Sequence, residues 1–209
     1  MSRLLNSSSR SQLKSIGAAA CAAILLSGIT VVAVAKEKAA DDFERPVVYK
    51  SLRSGGHQHL VAKILIHARP EVVWDTVHEE RKKDPDIAYA KVLSHEGHEL
   101  ILEEKFVLLP VIGTAKCIMR DVEVPQARID YQLLESDHFK AMEGSWVLTA
   151  HDGGRSTILE LSSYLELGMP VPRMVLDSVT SQKLLRRVDS IKKLAEKSEE
   201  HLAGRAGSI

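Results

Sequence analysis

The chain has 209 residues, with 28 basic and 28 acidic side chains, 44% apolar residues and only 4% aromatics. That length accommodates one ordinary domain plus a targeting segment, and the apolar content excludes a disordered chain. Residues 1–35 hold Arg3, Arg10 and Lys14 and no acid, so the remainder carries 25 basic against 28 acidic groups. A mildly acidic body without a basic stripe excludes nucleic acid as the main partner, because phosphate binding needs clustered Lys and Arg.

The first element is a targeting device. Ile16 to Ala35 runs for 20 residues without a charge, and Ala33-Val34-Ala35 supplies the small residues a signal peptidase accepts, followed at once by Lys36-Glu37-Lys38. Residues 1–35 read as a cleaved signal peptide, which implies an exported, periplasmic or secreted protein. The alternative is an N-terminal membrane anchor formed by residues 16–35, since a run of this length also spans a bilayer. Its richness in Ala, Gly and Ser rather than Leu favours cleavage. Cys21 lies in this segment and leaves Cys117 alone, which excludes a disulfide scaffold and a cysteine-rich metal site.

Residues 36–56 contain Pro46 and Gly55-Gly56 and read as a linker. From His57 to Ala68 the apolar residues alternate as in a strand. Arg69-Pro70-Glu71 opens a helix, with Pro at a position that needs no N–H and Glu71 at the positive end of the dipole. Val73, Trp74 and Val77 share its inner face, and the stretch Lys82 to Asp86 ends it. Six short β-rich segments follow: Ile87–Ser94, Glu99–Leu108, Thr114–Val124, Arg128–Glu135, Gly144–His151 and Ser156–Leu167. Tight turns between them, including Asp152-Gly153-Gly154, imply an antiparallel meander. Arg173 to Lys197 lacks Pro and Gly and sets Val175, Val179, Leu184, Val188, Ile191 and Ala195 along one stripe, which predicts a long amphipathic helix. Residues 198–209 read as a flexible tail.

This order predicts an α+β domain in which a curved antiparallel sheet of about seven strands wraps around the long C-terminal helix. The order, together with the strings Ile66-His67-Ala68-Arg69-Pro70-Glu71-Val72-Val73-Trp74, Phe139-Lys140-Ala141-Met142-Glu143-Gly144-Ser145-Trp146 and Gly153 to Leu167, resembles the START/polyketide-cyclase superfamily and its helix-grip fold. The resemblance spans residues 57–197 and is nearest the polyketide cyclase/dehydrase and coenzyme Q-binding branch. It implies binding or transport of a hydrophobic small molecule, lipid-like, quinone-like or polyketide-like, between sheet and helix, with the membrane surface as a second partner. Two alternatives stay open: a cyclase or dehydratase, and a cell-envelope interaction domain whose cavity has collapsed.

A pocket of this kind needs apolar walls and a few orienting polar groups. Alternation nominates Met119, Tyr131, Leu133, Leu148 and Leu161 on the strands, and Met174, Ser178 and Val179 on the helix. Ile101, Cys117, Trp146 and Leu165 also fall on candidate inner faces. Glu104 and Arg120 are the head-group candidates among a wider polar set that includes Asp121. A period of two lets each point to water instead, and the cost of burying an unpaired ion favours that. No cofactor is implied. His57 and His59 fall two apart and His95 and His98 flank a turn, but no spacing completes a metal site. No Gly-x-Ser-x-Gly elbow is present, and Cys117 within a strand reads as a small core residue.

Overall fold

Tight turns and short connections fold almost every strand of this chain back beside its predecessor. A computed structural model describes residues 43–53, 55–107 and 113–206, so the segment read as a signal peptide lies outside the described residues. The elements are β1 (Val47–Leu52), β2 (Gln58–Ile66), α1 (Pro70–Lys82), β3 (Ile87–Glu96), β4 (Glu99–Val107), β5 (Thr114–Val124), β6 (Arg128–Ser136), β7 (Phe139–His151), β8 (Ser156–Leu167) and α2 (Arg173–Ala206). The strands form one eight-stranded sheet in the order β1-β2-β8-β7-β6-β5-β4-β3, and every pairing is antiparallel. Register shifts interrupt the β3–β4, β5–β6 and β7–β8 ladders. Such bulges bend a strand and increase its twist, which curves the sheet.

The extra strand corrects the linker expectation for residues 36–56. Val47 to Leu52 pairs with β2 from Val47↔Lys63 to Leu52↔Gln58. The Gly pair that looked like a linker signal is part of the hairpin turn: Gly56 adopts φ 79° and donates to the Arg53 carbonyl at 2.9 Å. As an edge strand with only Val48 packed on the core, β1 shows little alternation for a sequence reading to catch.

α1 begins at Pro70 as expected and buries Val72, Val73, Thr76 and Val77. α2 runs for 34 residues, well past the expected end at Lys197. Polar residues tether this end: Glu196 accepts the His67 amide at 3.0 Å and, within the stretch that read as a flexible tail, Glu199 accepts the Arg69 amide at 3.2 Å and its Nε at 2.8 Å.

Two apolar clusters divide the concave face. The first joins Leu60, Ala62, Ile64 and Ile66 of β2, the inner face of α1, Trp146 and Leu148 of β7, Leu159 and Leu161 of β8, and Leu184, Val188, Ile191 and Ala195 of α2. The second comprises Leu102, Ala115, Cys117, Met119 and Phe139, flanked by Phe106, Leu133, Met142 and Leu165. Only the C-terminal part of the α2 stripe is buried. Val175, nearer the N-terminus, is 47% exposed. Replacing Ile191 with Ala is expected to cost about 2–5 kcal/mol in urea denaturation, while Leu194→Ala, nearly half exposed, stays within about 1 kcal/mol.

Candidate functional site

Between the two clusters lies a cavity of about 160 Å³, walled by β4 to β8 and roofed by α2. Its apolar wall includes Phe106, Met119, Phe139, Met142, Trp146 and Leu161, and its polar wall comes mainly from α1, the segment after it, and α2. Of the residues the sequence nominated, Met119, Tyr131, Trp146, Leu161, Leu165, Glu104 and Asp121 meet here.

The others lie elsewhere. Leu148 is buried in the first cluster and Leu133 packs beside the second, so both are core rather than wall. Met174 is 83% exposed, Ser178 is exposed and Val179 is half-buried outside the cavity wall, because the cavity is reached one turn further along α2, at Thr180, Lys183, Leu184 and Arg187. Arg120 is on the outer face, 2.5 Å from Glu99. Ile101 pairs with it there, so β4 turns Leu102, Glu104 and Phe106 inward. In the run Leu100-Ile101-Leu102 the apolar residues fit either face, and alternation alone does not select one.

Glu104 is only 7% exposed, contrary to the expectation of solvent. Burial pushes its carboxyl up to about 7; Arg81 and Arg187 oppose this, and Asp121 and Asp84 reinforce it. Among the described residues none donates a hydrogen bond to it. The neighbouring charges are matched. Arg81 is ion-paired with Asp121. Arg187 reaches Glu80 and Asp84 at 3.1 Å each, and its guanidinium lies 4.9 Å from the Trp146 ring, a cation–π contact. Lys183 is 3.2 Å from Asp86.

Arg81 and Arg187 escaped the sequence reading, although a signal was present. Val73, Val77 and Arg81 are spaced four apart, and Arg187 falls three after Leu184, so both cations sit on apolar stripes. Long charged side chains on such stripes are usually read as snorkelling to water, which hides a buried pair.

Tyr131 crosses the floor of the sheet and donates to the Ser162 carbonyl at 2.8 Å. It fits because its cross-strand neighbour is Gly144. A Cβ at that position would lie 2.1 Å from the Ser162 oxygen and 2.3 Å from Tyr131 Oη. Cys117 donates to Ser136 Oγ at 3.3 Å and burial raises its thiol to about 11, which makes it an inert core residue.

Two outcomes are expected. Gly144→Ala destabilises the fold by about 1–3 kcal/mol in urea titration and displaces Tyr131. Glu104 binds its proton more tightly folded than unfolded, so its contribution to stability is present at about pH 4.5 and lost as the pH rises through about 7. The decline amounts to up to about 3 kcal/mol and is absent in Glu104→Gln. Parallel pH profiles for the two proteins would contradict this.

Neither a protein-family model nor a curated protein sequence matches the chain. Solved structures do match in fold. A START superfamily protein from Mycobacterium smegmatis is 18% identical at a TM-score of 0.54, covering 69% of this chain and 98% of that one. A STAR-related lipid transfer protein from Xanthomonas axonopodis is 12% identical at a TM-score of 0.56, covering 73% and 94%. The Zhui aromatase/cyclase from Streptomyces is 14% identical at a TM-score of 0.50, covering 72% and 98%. With its single antiparallel sheet curved around one long C-terminal helix, the chain has the helix-grip fold of the START/polyketide-cyclase superfamily.

Proposed function

We propose that this protein binds and carries a hydrophobic small molecule, lipid-like or quinone-like, between the sheet and α2. The observation that carries the reading is the cavity itself, in which aromatic and aliphatic walls meet a carboxyl that no described residue satisfies. An apolar group entering it gains roughly 25 cal/mol for each Å² removed from water. The 160 Å³ of this half-open cavity admits a single ring or a short alkyl segment, whereas drug-sized ligands occupy several hundred Å³. A larger ligand therefore enters as the N-terminal half of α2 swings outward about the Gly168–Pro172 segment. That half is fastened to the sheet by polar contacts: Lys50 of β1 to Asp177 at 2.7 Å, and Arg173 to the Leu165 carbonyl of β8 at 3.0 Å. Such pairs exchange for water at little cost. An exported location, from residues 1–35, belongs to the same proposal and places the protein beside a membrane source of ligand.

A second reading is favoured by Glu104 alone. A buried carboxyl pushed up to about 7 at a cavity wall is suited to proton transfer, so the same cavity also fits a cyclase or dehydratase. Loss of turnover with retained binding in Glu104→Gln would mark the enzyme.

Native mass spectrometry of the protein taken from its own cell envelope, followed by extraction, tests the leading reading. A stoichiometric lipid or quinone is expected, and ligand entry alters the emission of Trp146. Leu161→Trp fills the cavity and weakens binding by about tenfold or more, whereas Met174→Ala leaves it unchanged. An empty protein that also ignores a panel of lipids and quinones overturns the proposal.

A further inference from the structure

The charges around the cavity do not cancel. Three cations line it, Arg81, Lys183 and Arg187, together with four carboxylates, Asp84, Asp86, Glu104 and Asp121. Each cation is already held. Arg81 pairs with Asp121, Arg187 with Asp84 as well as Glu80, and Lys183 with Asp86, which also meets Arg186. Glu104 is left over. Its neighbours along β4 on the inner face, Leu102 and Phe106, belong to the second apolar cluster, and across the ladder it faces Cys117. The cavity therefore presents a buried acceptor on an apolar background and no unpaired cation among the described residues.

Resting on the carrier reading above, we infer that the ligand's polar end is a hydrogen-bond donor, and that an ammonium head is preferred over a carboxylate or phosphate head. An anionic head entering this cavity has to break an existing pair to find a partner, which leaves a carboxylate buried and unmatched. A cationic head completes the fourth pair without disturbing the other three. A hydroxyl head gains one neutral hydrogen bond and ranks between the two.

The groups facing Glu104 are Arg81 of α1, Asp84 after it, Asp121 and Cys117 of β5, and Arg187 of α2. As the pH rises through the neutral range Glu104 ionises while an alkylammonium remains charged, so binding of the amine tightens. A neutral alcohol has no such gain.

The test compares three probes of one chain length, dodecylamine, dodecanol and dodecanoate, by calorimetry and tryptophan emission on the wild-type protein at pH 6 and pH 8. The expected ranking at pH 8 is amine, alcohol, carboxylate, with amine and carboxylate separated by about tenfold or more. The amine is expected to tighten between pH 6 and pH 8. In Glu104→Gln the amine loses its advantage while the alcohol is little changed. Equal affinity for all three probes, or preference for dodecanoate, overturns the head-group inference and leaves the carrier reading intact. Binding of none of them overturns the carrier reading. The ranking is measured on the wild-type protein, so it does not depend on how the variant folds.

Discussion

The seam between the C-terminal half of α2 and β2 is the constraint on which the rest of the molecule depends. Leu184, Val188, Ile191 and Ala195 form a helical stripe that meets Leu60, Ala62, Ile64 and Ile66, which alternate on one face of the strand. Period 3.6 meets period 2 along one line, and each fully buried aliphatic side chain contributes roughly 1.5–3 kcal/mol. The cavity lies where that seam begins, at Thr180, Lys183, Leu184 and Arg187 of the helix, against residues of the second cluster.

What prevents that space from filling with side chains is the charge at the junction of the two clusters. Arg81, Asp84, Asp121 and Arg187 enter the interior from different elements, and each finds an opposite charge. Buried pairs of this kind seldom add much net stability, since desolvation offsets most of the attraction, but breaking one is costly. They behave as fixed struts. Arg187 joins both regimes, holding Glu80 and Asp84 with its charge while its flat face covers Trp146. The same enclosure shifts Glu104, because a carboxylate with no hydrogen-bond donor in a low-dielectric space is easier to protonate. Packing and electrostatics thus meet in the same space, at Arg187 and Glu104.

Much of the architecture was legible in the chain. Alternation from Leu60 to Ile66, Pro70 at the helix start, the turn at Asp152-Gly153-Gly154 and the stripe ending at Ala195 each express a local rule, and each appears in the structure where those rules place it. β1 and the last turns of α2 were not legible. Their residues are held by partners distant in sequence, β2 in one case and Arg69 in the other. The candidate site divided in the same way. Met119, Tyr131 and Leu161 follow from strand alternation. Met174, Ser178 and Val179 were misplaced because periodicity defines which side of a helix is apolar and says nothing about how far along its length the sheet continues.

By itself, then, the sequence determined the fold class, the order of the elements and the apolar faces, since these depend on side-chain periodicity and backbone preference over a few residues. Only the tertiary structure decided which charges are buried. Whether Glu104 meets water or an apolar wall, and whether Arg81 and Arg187 are spent on Asp121 and Asp84 or remain free, depends on elements as far as 107 residues apart closing on one volume. The energy of a charge is set by its surroundings in space, and local sequence does not encode them.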